Sequence, residues 1–345
     1  MQQSPVIFAE SMHSGLFSKS KKIFVLTDEN TVRYCLPEIE KQGEVHTIVI
    51  PAGEQHKNIE TLTKVWQALA AGFADRNSVL VNIGGGVVCD IGGFAAATYM
   101  RGISFVQVPT TLLAMADAAH GGKTGIDFLD FKNMLGAFAL PESVIVYPAF
   151  LKTLPQRELL SGFAEVIKHY IIADASSFHE VWKCKAVIVE EANWKPLLQK
   201  AIAIKQSVVA RDPYEKGIRK ILNFGHTVGH AVETLFLQEK NYLLHGEAVA
   251  IGMLMETLMA QELKIIQQAE AERIVEVLIE IFHNRPAIAN PAQVLQAMKH
   301  DKKNRDAVPL FALPNRIGNC LFNCEVEEAV ILNAFKNYNE LYAVA

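Results

Sequence analysis

Cysteine is scarce: five residues in 345, at 35, 89, 184, 320 and 324. The number is odd, the spacing is not that of metal ligands, and a chain of this length does not need disulfides to fold. They read as free thiols of a cytoplasmic protein. Long apolar runs are missing too. Stretches such as Ala248–Met255 contain glycine or are closed by glutamate within a few residues, well short of the about 18–20 residues that cross a bilayer. No membrane partner is expected. The segment Met1-Gln2-Gln3-Ser4-Pro5 lacks a basic stretch followed by an apolar core, so no secretory signal is expected. Neither charge dominates. With 33 Lys+Arg against 37 Asp+Glu the net charge is −4, which removes any global pull toward nucleic acid or an anionic surface. No nucleic-acid partner is expected, and anion recognition has to be local. No Gly/Ser, Gln/Asn or Pro-rich tract interrupts a composition that is 50% hydrophobic and 20% charged, so disorder and fibrous repeats are excluded.

What is present changes character halfway. In the first 150 residues, β-branched runs at Ile23–Thr27, Val45–Ile50, Val79–Ile83, Phe105–Val108 and Val144–Tyr147 alternate with helical patterns at Thr31–Lys41 and Ile59–Ala74. That is a βαβ rhythm with a parallel sheet. After Pro148 the texture becomes long 3.6-period segments near 156–172, 196–209, 219–237, 246–263 and 269–281, with little strand character before Val308–Leu313. The expected division is an α/β domain over 1–150 and a mainly helical domain over 151–345, closely packed around a cleft.

Val81-Asn82-Ile83-Gly84-Gly85-Gly86 feeds a strand into a glycine turn and a helix, the geometry in which free N–H groups meet a pyrophosphate. The G-x-G-x-x-G spacing fails, because Cys89 stands where the third glycine belongs. A tight structural turn would look the same. Gly121-Gly122-Lys123-Thr124 resembles the end of a P-loop, but Asp117 occupies the position of its first glycine.

On one continuous helix, at about 100° per residue, Arg219, Asn223, His226 and His230 form a polar stripe roughly 60° wide. Ile221, Leu222, Phe224, Val228 and Val232 cover the other faces, so the stripe is expected to line a wet cleft rather than face bulk solvent. His245 beside Gly246-Glu247 opens another apolar helix, and Glu165 with Lys168 shares a face of a third. One carboxylate and two imidazoles suit a three-ligand zinc site with an open position. Which histidines ligate stays open: His226 with His230, or His226 with His245, leaving His230 for proton transfer.

The blocks Gly84–Phe94, Tyr99-Met100-Arg101-Gly102, Val108–Met115, Glu165–Lys168, Asn223–His230 and His245-Gly246-Glu247 run in order over about residues 23–322. Together they resemble the 3-dehydroquinate synthases, of the sugar phosphate cyclase family. The resemblance implies a Rossmann-like NAD-binding domain followed by a helical domain carrying Zn2+, with Co2+ as a possible substitute. By position, Glu165, His226 and His245 would be the metal ligands. Gly85, Gly86, Val87, Asp90, Thr110 and Thr111 would lie at the pyrophosphate, with Asp28, Glu54, Lys57, Lys132 and Thr153 holding the rest of NAD. Asp117, Lys123, Asn133, Lys168, Lys205, Arg219, Asn223, His230 and Lys302 (or Lys303) would contact substrate, and Arg101 would enter from the partner of a homodimer. Cys89 and Ala118-Ala119-His120 depart from the usual family pattern.

The implied substrate is a small sugar acid phosphate, 3-deoxy-D-arabino-heptulosonate 7-phosphate, and the several cations in apolar or glycine-rich settings suit such a polyanion. The implied chemistry is transient oxidation of a ring hydroxyl, β-elimination of phosphate, re-reduction, ring opening and aldol closure to 3-dehydroquinate. Cyclases acting on sugars without the carboxylate, metal-dependent dehydrogenases with net NADH formation, and a catalytically silent NAD-binding relative are the rivals.

Overall fold

A computed structural model describes residues 3–13, 15, 17, 22–39, 45–129, 131–184, 193–236, 242–283, 285–299 and 308–344. The chain forms two compact units, Met1–Pro155 and Gln156–Ala345. The turn Pro148–Thr153 stays with the first.

The first unit is built on six parallel strands, β1 (Val6–Phe8), β2 (Ile23–Asp28), β3 (Val45–Ile50), β4 (Val79–Gly84), β5 (Ser104–Pro109) and β8 (Ser143–Val146), in the spatial order β1-β8-β5-β4-β2-β3. The central strand β4, Val-Leu-Val-Asn-Ile-Gly, is buried throughout, as a strand covered on both faces must be. Helices α1 (Glu29–Tyr34), α2 (Ile59–Ala71) and α3 (Gly86–Thr98) connect the strands. From β2 the chain steps outward to β3 and then returns to β4 on the other side of β2. The carboxyl ends of β2 and β4, where Asp28 and Gly84–Gly86 lie, are therefore the topological switch point at which open α/β sheets bind ligands.

Two glycines let α3 sit close to its neighbours. A Cβ on Gly92 would stand 1.9 Å from Asn82 Oδ1, and one on Gly93 would stand 2.4 Å from Thr124 Cγ2. The close-packing role that the missing glycine at position 89 would have served is met one turn later. Cys89 is 1% exposed with its Sγ toward the Gly84 carbonyl, and burial pushes its thiol far up. An antiparallel hairpin, β6 (Lys123–Phe128) and β7 (Phe131–Phe138), packs beside α3. Sequence periodicity did not reveal it, because β7 is largely exposed and carries no alternation.

The second unit contains α4 (Gln156–Ala173), α5 (Ala175–Cys184), α6 (Trp194–Arg211), α7 (His226–Phe236), α8 (His245–Glu262), α9 (Gln268–Ile281), α10 (Pro291–Lys299), the antiparallel pair β9 (Leu310–Arg316) and β10 (Asn319–Glu325), and α11 (Glu328–Val344). Ala248–Thr257 of α8 is buried on every side, so α8 is the central helix. Among the described residues no helix is long and apolar enough to cross a membrane.

One helical expectation is corrected. Residues 219–237 are not one helix: Ile218–Asn223 is a 3-10 helix, Gly225 takes φ +79°, and α7 begins at His226. At about 120° per residue in the first piece, Arg219 and Asn223 lie on different sides of it, so the four-residue stripe does not exist as drawn. The break has a steric cause. A Cβ on Gly225 would meet the Met253 side chain at 2.5 Å and the Val249 carbonyl at 2.8 Å, so the chain turns where α8 leaves no room for a side chain.

Candidate functional site

In the first unit, the switch point carries a cluster of polar groups. Gly85 is the N-cap of α3, leaving the N–H groups of Gly86 and Val87 at a helix start, where the helix end favours an anion. Thr110 N donates to the Gly84 carbonyl at 2.9 Å, which fixes the end of β4 against the end of β5. Thr111 Oγ1 accepts from Ala114 N at 3.2 Å. Asp28 caps α1 by accepting from Thr31 N at 2.7 Å. Lys57, 4% exposed, reaches Asp90 Oδ2 and Asn133 Oδ1, each at 2.6 Å, and Glu54 Oε1 at 3.7 Å. Burial works against its charge, but Asp90, Glu54 and Asp127 outweigh that and hold the ammonium above the ordinary lysine range.

Asn133 sits at φ +50° after the hairpin turn, and its N–H donates to Asp127 Oδ1 at 2.7 Å. Lys132 precedes it and is half-buried, Lys123 opens β6 exposed, and Asp117 lies in the π-helical turn Ala114–Ala118. His120 is buried, with Nε2 2.8 Å from the Met115 carbonyl, so it anchors the loop that leads to Lys123. Thr153 is exposed and bonds the Phe150 carbonyl at 3.2 Å. Arg101 is exposed at φ +65° beside Gly102 at φ +119°, in the turn that follows α3.

In the second unit, α4, α7 and α8 bring Glu165, His226, His230 and His245 together. The approach depends on glycine: a Cβ on Gly246 would stand 1.8 Å from the Ser161 carbonyl, and one on Gly252 would stand 1.9 Å from the Gly225 carbonyl. Glu165 is 1% exposed. Its Oε1 lies 3.6 Å from His226 Nε2 and 3.7 Å from His245 Nε2, while Oε2 bonds the buried Lys168 ammonium. The imidazole ring of His230 is 5.1 Å from that of His226 and 5.8 Å from that of His245.

The far nitrogens of both rings have acceptors: Phe224 O at 3.1 Å from His226 Nδ1, and Glu233 Oε2 at 3.4 Å from His245 Nδ1. Burial alone would lower the pKa of His245, but Glu233 and Glu165 outweigh it and push it up to about 9. The pocket favours a cation. One hard carboxylate oxygen and imidazole Nε2 atoms converging on it are a donor set that suits Zn2+. His226, His230 and His245 also bring one nitrogen each within 4.8 Å of one another, so a three-histidine set stands beside the pairing of Glu165 with His226 and His245.

Lys205 is buried on α6 and Arg219 is 2% exposed. Asp212 shapes the turn before the 3-10 helix by accepting from the N–H groups of Lys216 at 3.0 Å, Gly217 at 2.6 Å and Arg219 at 3.1 Å. Desolvation would raise its carboxyl, but these donors hold it below the usual range. Arg219 Nη1 donates to the Pro213 carbonyl and Asn223 Nδ2 to Glu215 Oε1, at 2.6 and 2.7 Å. Lys302 and Lys303 lie outside the described residues.

Three acidic side chains were missed from sequence: Glu233, Glu256 and Asp127. Glu256, fully buried, accepts from Gly225 N at 2.6 Å and Val228 N at 3.3 Å, fixing the turn that starts α7. The available signal was a glutamate inside the otherwise apolar run of α8, a buried charge that needs partners.

A parallel α/β unit with a glycine turn at its switch point, joined to a helical unit with a carboxylate–imidazole cluster, defines a class of two-unit enzymes that combine a nucleotide-type half with a metal-type half. The chain belongs to the 3-dehydroquinate synthase family: residues 47–161 match the description "3-dehydroquinate synthase N-terminal" and residues 162–304 "3-dehydroquinate synthase C-terminal". It is similar to the 3-dehydroquinate synthase of Parabacteroides distasonis, 36% identical with 100% of each chain covered. It is also similar to that of Acetivibrio thermocellus, 42% identical over 89% of this chain and 87% of the relative. Among solved structures, ValA, the 2-epi-5-epi-valiolone synthase of Streptomyces hygroscopicus subsp. jinggangensis 5008 with NAD+ and Zn2+ bound, aligns at TM-score 0.83 and 29% identity, covering 95% of this chain and 92% of that one.

Proposed function

We propose that the chain converts 3-deoxy-D-arabino-heptulosonate 7-phosphate to 3-dehydroquinate and phosphate, using bound NAD and a divalent metal, Zn2+ or Co2+. The observation that carries the metal half of this reading is Glu165 Oε1 lying within 3.6 and 3.7 Å of two imidazole Nε2 atoms. When bound, the metal supplies Lewis-acid polarisation of a substrate oxygen, and NAD supplies a reversible hydride acceptor.

The remaining work falls to the chain's own groups. Gly85, Gly86 and Val87 offer N–H donors to the pyrophosphate, with Asp90, Thr110 and Thr111 beside them. Asp28, Glu54, Lys57, Lys132 and Thr153 hold the rest of the dinucleotide. Glu165, His226 and His245 hold the metal, and His230 moves a proton at the substrate. Lys123, Asn133, Lys168, Lys205, Arg219, Asn223 and Lys302, with Asp117, orient the phosphate and carboxylate in reacting geometry. The chain acts as a cytoplasmic homodimer in which Arg101 serves the partner's site. The first half binds NAD, and the second half holds the metal and substrate.

The test is incubation of the heptulosonate phosphate with NAD+ well below the substrate concentration, following phosphate, dehydroquinate and NADH together. Phosphate and dehydroquinate should rise in step over many turnovers per NAD+. NADH accumulating in proportion to product would instead mark a dehydrogenase.

A further inference from the structure

We propose that Glu233 is a positioning residue for the metal site: by accepting the Nδ1–H of His245, it fixes which ring nitrogen, and which ring direction, His245 offers to the ion. The inference rests on the metal reading above and adds to it a residue outside the ligand set.

His245 Nδ1 lies 3.4 Å from Glu233 Oε2 while its Nε2 lies 3.7 Å from Glu165 Oε1. The two carboxylates thus sit at opposite nitrogens of one ring. Glu233 is 5% exposed and lies two helical turns after His226 on α7, whereas His245 is the first residue of α8. The contact therefore ties the orientation of one ligand to the helix that carries another. A neutral imidazole has a single N–H, and the nitrogen that bears it cannot bind a metal. An acceptor at Nδ1 keeps the proton there and leaves the Nε2 lone pair toward Glu165.

His226 has the same device in another form, with the Phe224 carbonyl 3.1 Å from its Nδ1. The difference matters for the inference. The partner of His226 is main chain and is fixed by the turn, whereas that of His245 is a side chain that a point substitution can move. Glu233 does not serve as a ligand in this arrangement, because it faces the nitrogen directed away from Glu165. Such outer partners typically set metal affinity by about 10- to 100-fold.

Two conservative variants separate position from charge. Glu233→Gln keeps the reach and an acceptor oxygen but removes the charge; Glu233→Asp keeps the charge but withdraws it by one methylene. Zn2+ affinity would be measured by chelator competition on the full-length protein. The visible spectrum of the Co2+-loaded protein reports ligand geometry independently of turnover, and thermal unfolding in excess chelator reports the fold. Glu233→Asp should bind Zn2+ about 10- to 100-fold more weakly and shift the Co2+ bands, while Glu233→Gln loses less, both with metal-free unfolding close to wild type. Wild-type affinity and spectrum in Glu233→Asp, or a greater loss in Glu233→Gln than in Glu233→Asp, would overturn the positioning role. The metal reading fails separately, if wild type takes up no Zn2+ or if Glu165→Ala retains it.

Discussion

Lys57 Nζ lies 2.6 Å from Asp90 Oδ2 and equally close to Asn133 Oδ1, so one buried ammonium joins the loop after β3, the N-terminal part of α3 and the start of β7. Lys57→Met would leave Asp90 and its acidic neighbours without their counter-charge. Breaking a buried pair from one side costs about 3–5 kcal/mol, read as a lower urea midpoint, and NAD+ affinity should fall with it. Because the folded pKa is raised, the stabilisation is complete below the unfolded lysine value of 10.5 and is lost only as pH rises through the folded value. The wild-type-minus-variant gap should stay level from about pH 6 to 9. A gap under about 1 kcal/mol would place the cluster with solvent-screened surface pairs instead.

Zinc binding should depend on Glu165, His226 and His245 and not on His230. Stoichiometric zinc in wild type and His230→Ala, with loss in the other three alanine variants, is the expected pattern by atomic emission. The three imidazoles share a 4.8 Å neighbourhood, so the contrary result has a definite meaning. Zinc retained in Glu165→Ala and lost in His230→Ala would assign the ion to a three-histidine set.

Much of this was legible in the sequence where one physical cause dominates. The parallel strands announce themselves as β-branched runs: the edge strand Val45–Ile50 has the expected bounds, and the buried Val79–Gly84 extends its run by one glycine. The glycine turn before α3 was legible as a strand-to-helix turn, since Gly84-Gly85-Gly86 ends one pattern just before the next begins. The 219–237 segment was misread because hydrophobic period alone cannot see Met253 and Val249 pressing on Gly225 from a distant helix. Glu233 and Glu256 were missed because their partners, His245 and the Gly225 N–H, are brought to them only by the packing of α7 on α8.

Gly246→Ala tests whether close helix approach builds the metal cluster. Its added Cβ would meet the main-chain Ser161 carbonyl at 1.8 Å, so a side-chain rotation cannot relieve the clash and α8 has to shift from α4. Overpacking of this kind costs about 1–3 kcal/mol and should lower the melting temperature. Since Glu165 is on α4 and His245 on α8, zinc affinity should drop as well. A destabilised variant that holds zinc as tightly as wild type would show that the cluster tolerates helix displacement.

Arg219 should read the carboxylate that distinguishes the heptulosonate phosphate from sedoheptulose 7-phosphate. The residue is 2% exposed, its guanidinium is anchored through Nη1 to the Pro213 carbonyl, and its backbone N–H is held by Asp212. The charge is thus fixed in place by main chain before any ligand arrives. A guanidinium can grip a carboxylate through two parallel hydrogen bonds, which an ammonium cannot copy. Arg219→Met should therefore cost about 2–5 kcal/mol in binding the carboxylated sugar, roughly 30- to several-thousand-fold at about 1.4 kcal/mol per decade. Arg219→Lys should recover only part of it, and weak binding of sedoheptulose 7-phosphate should change little in either variant. The competing account is that Arg219 only braces the Asp212–Pro213 turn. In that case Arg219→Met lowers thermal stability and weakens both sugars by the same factor, leaving the preference for the carboxylate intact.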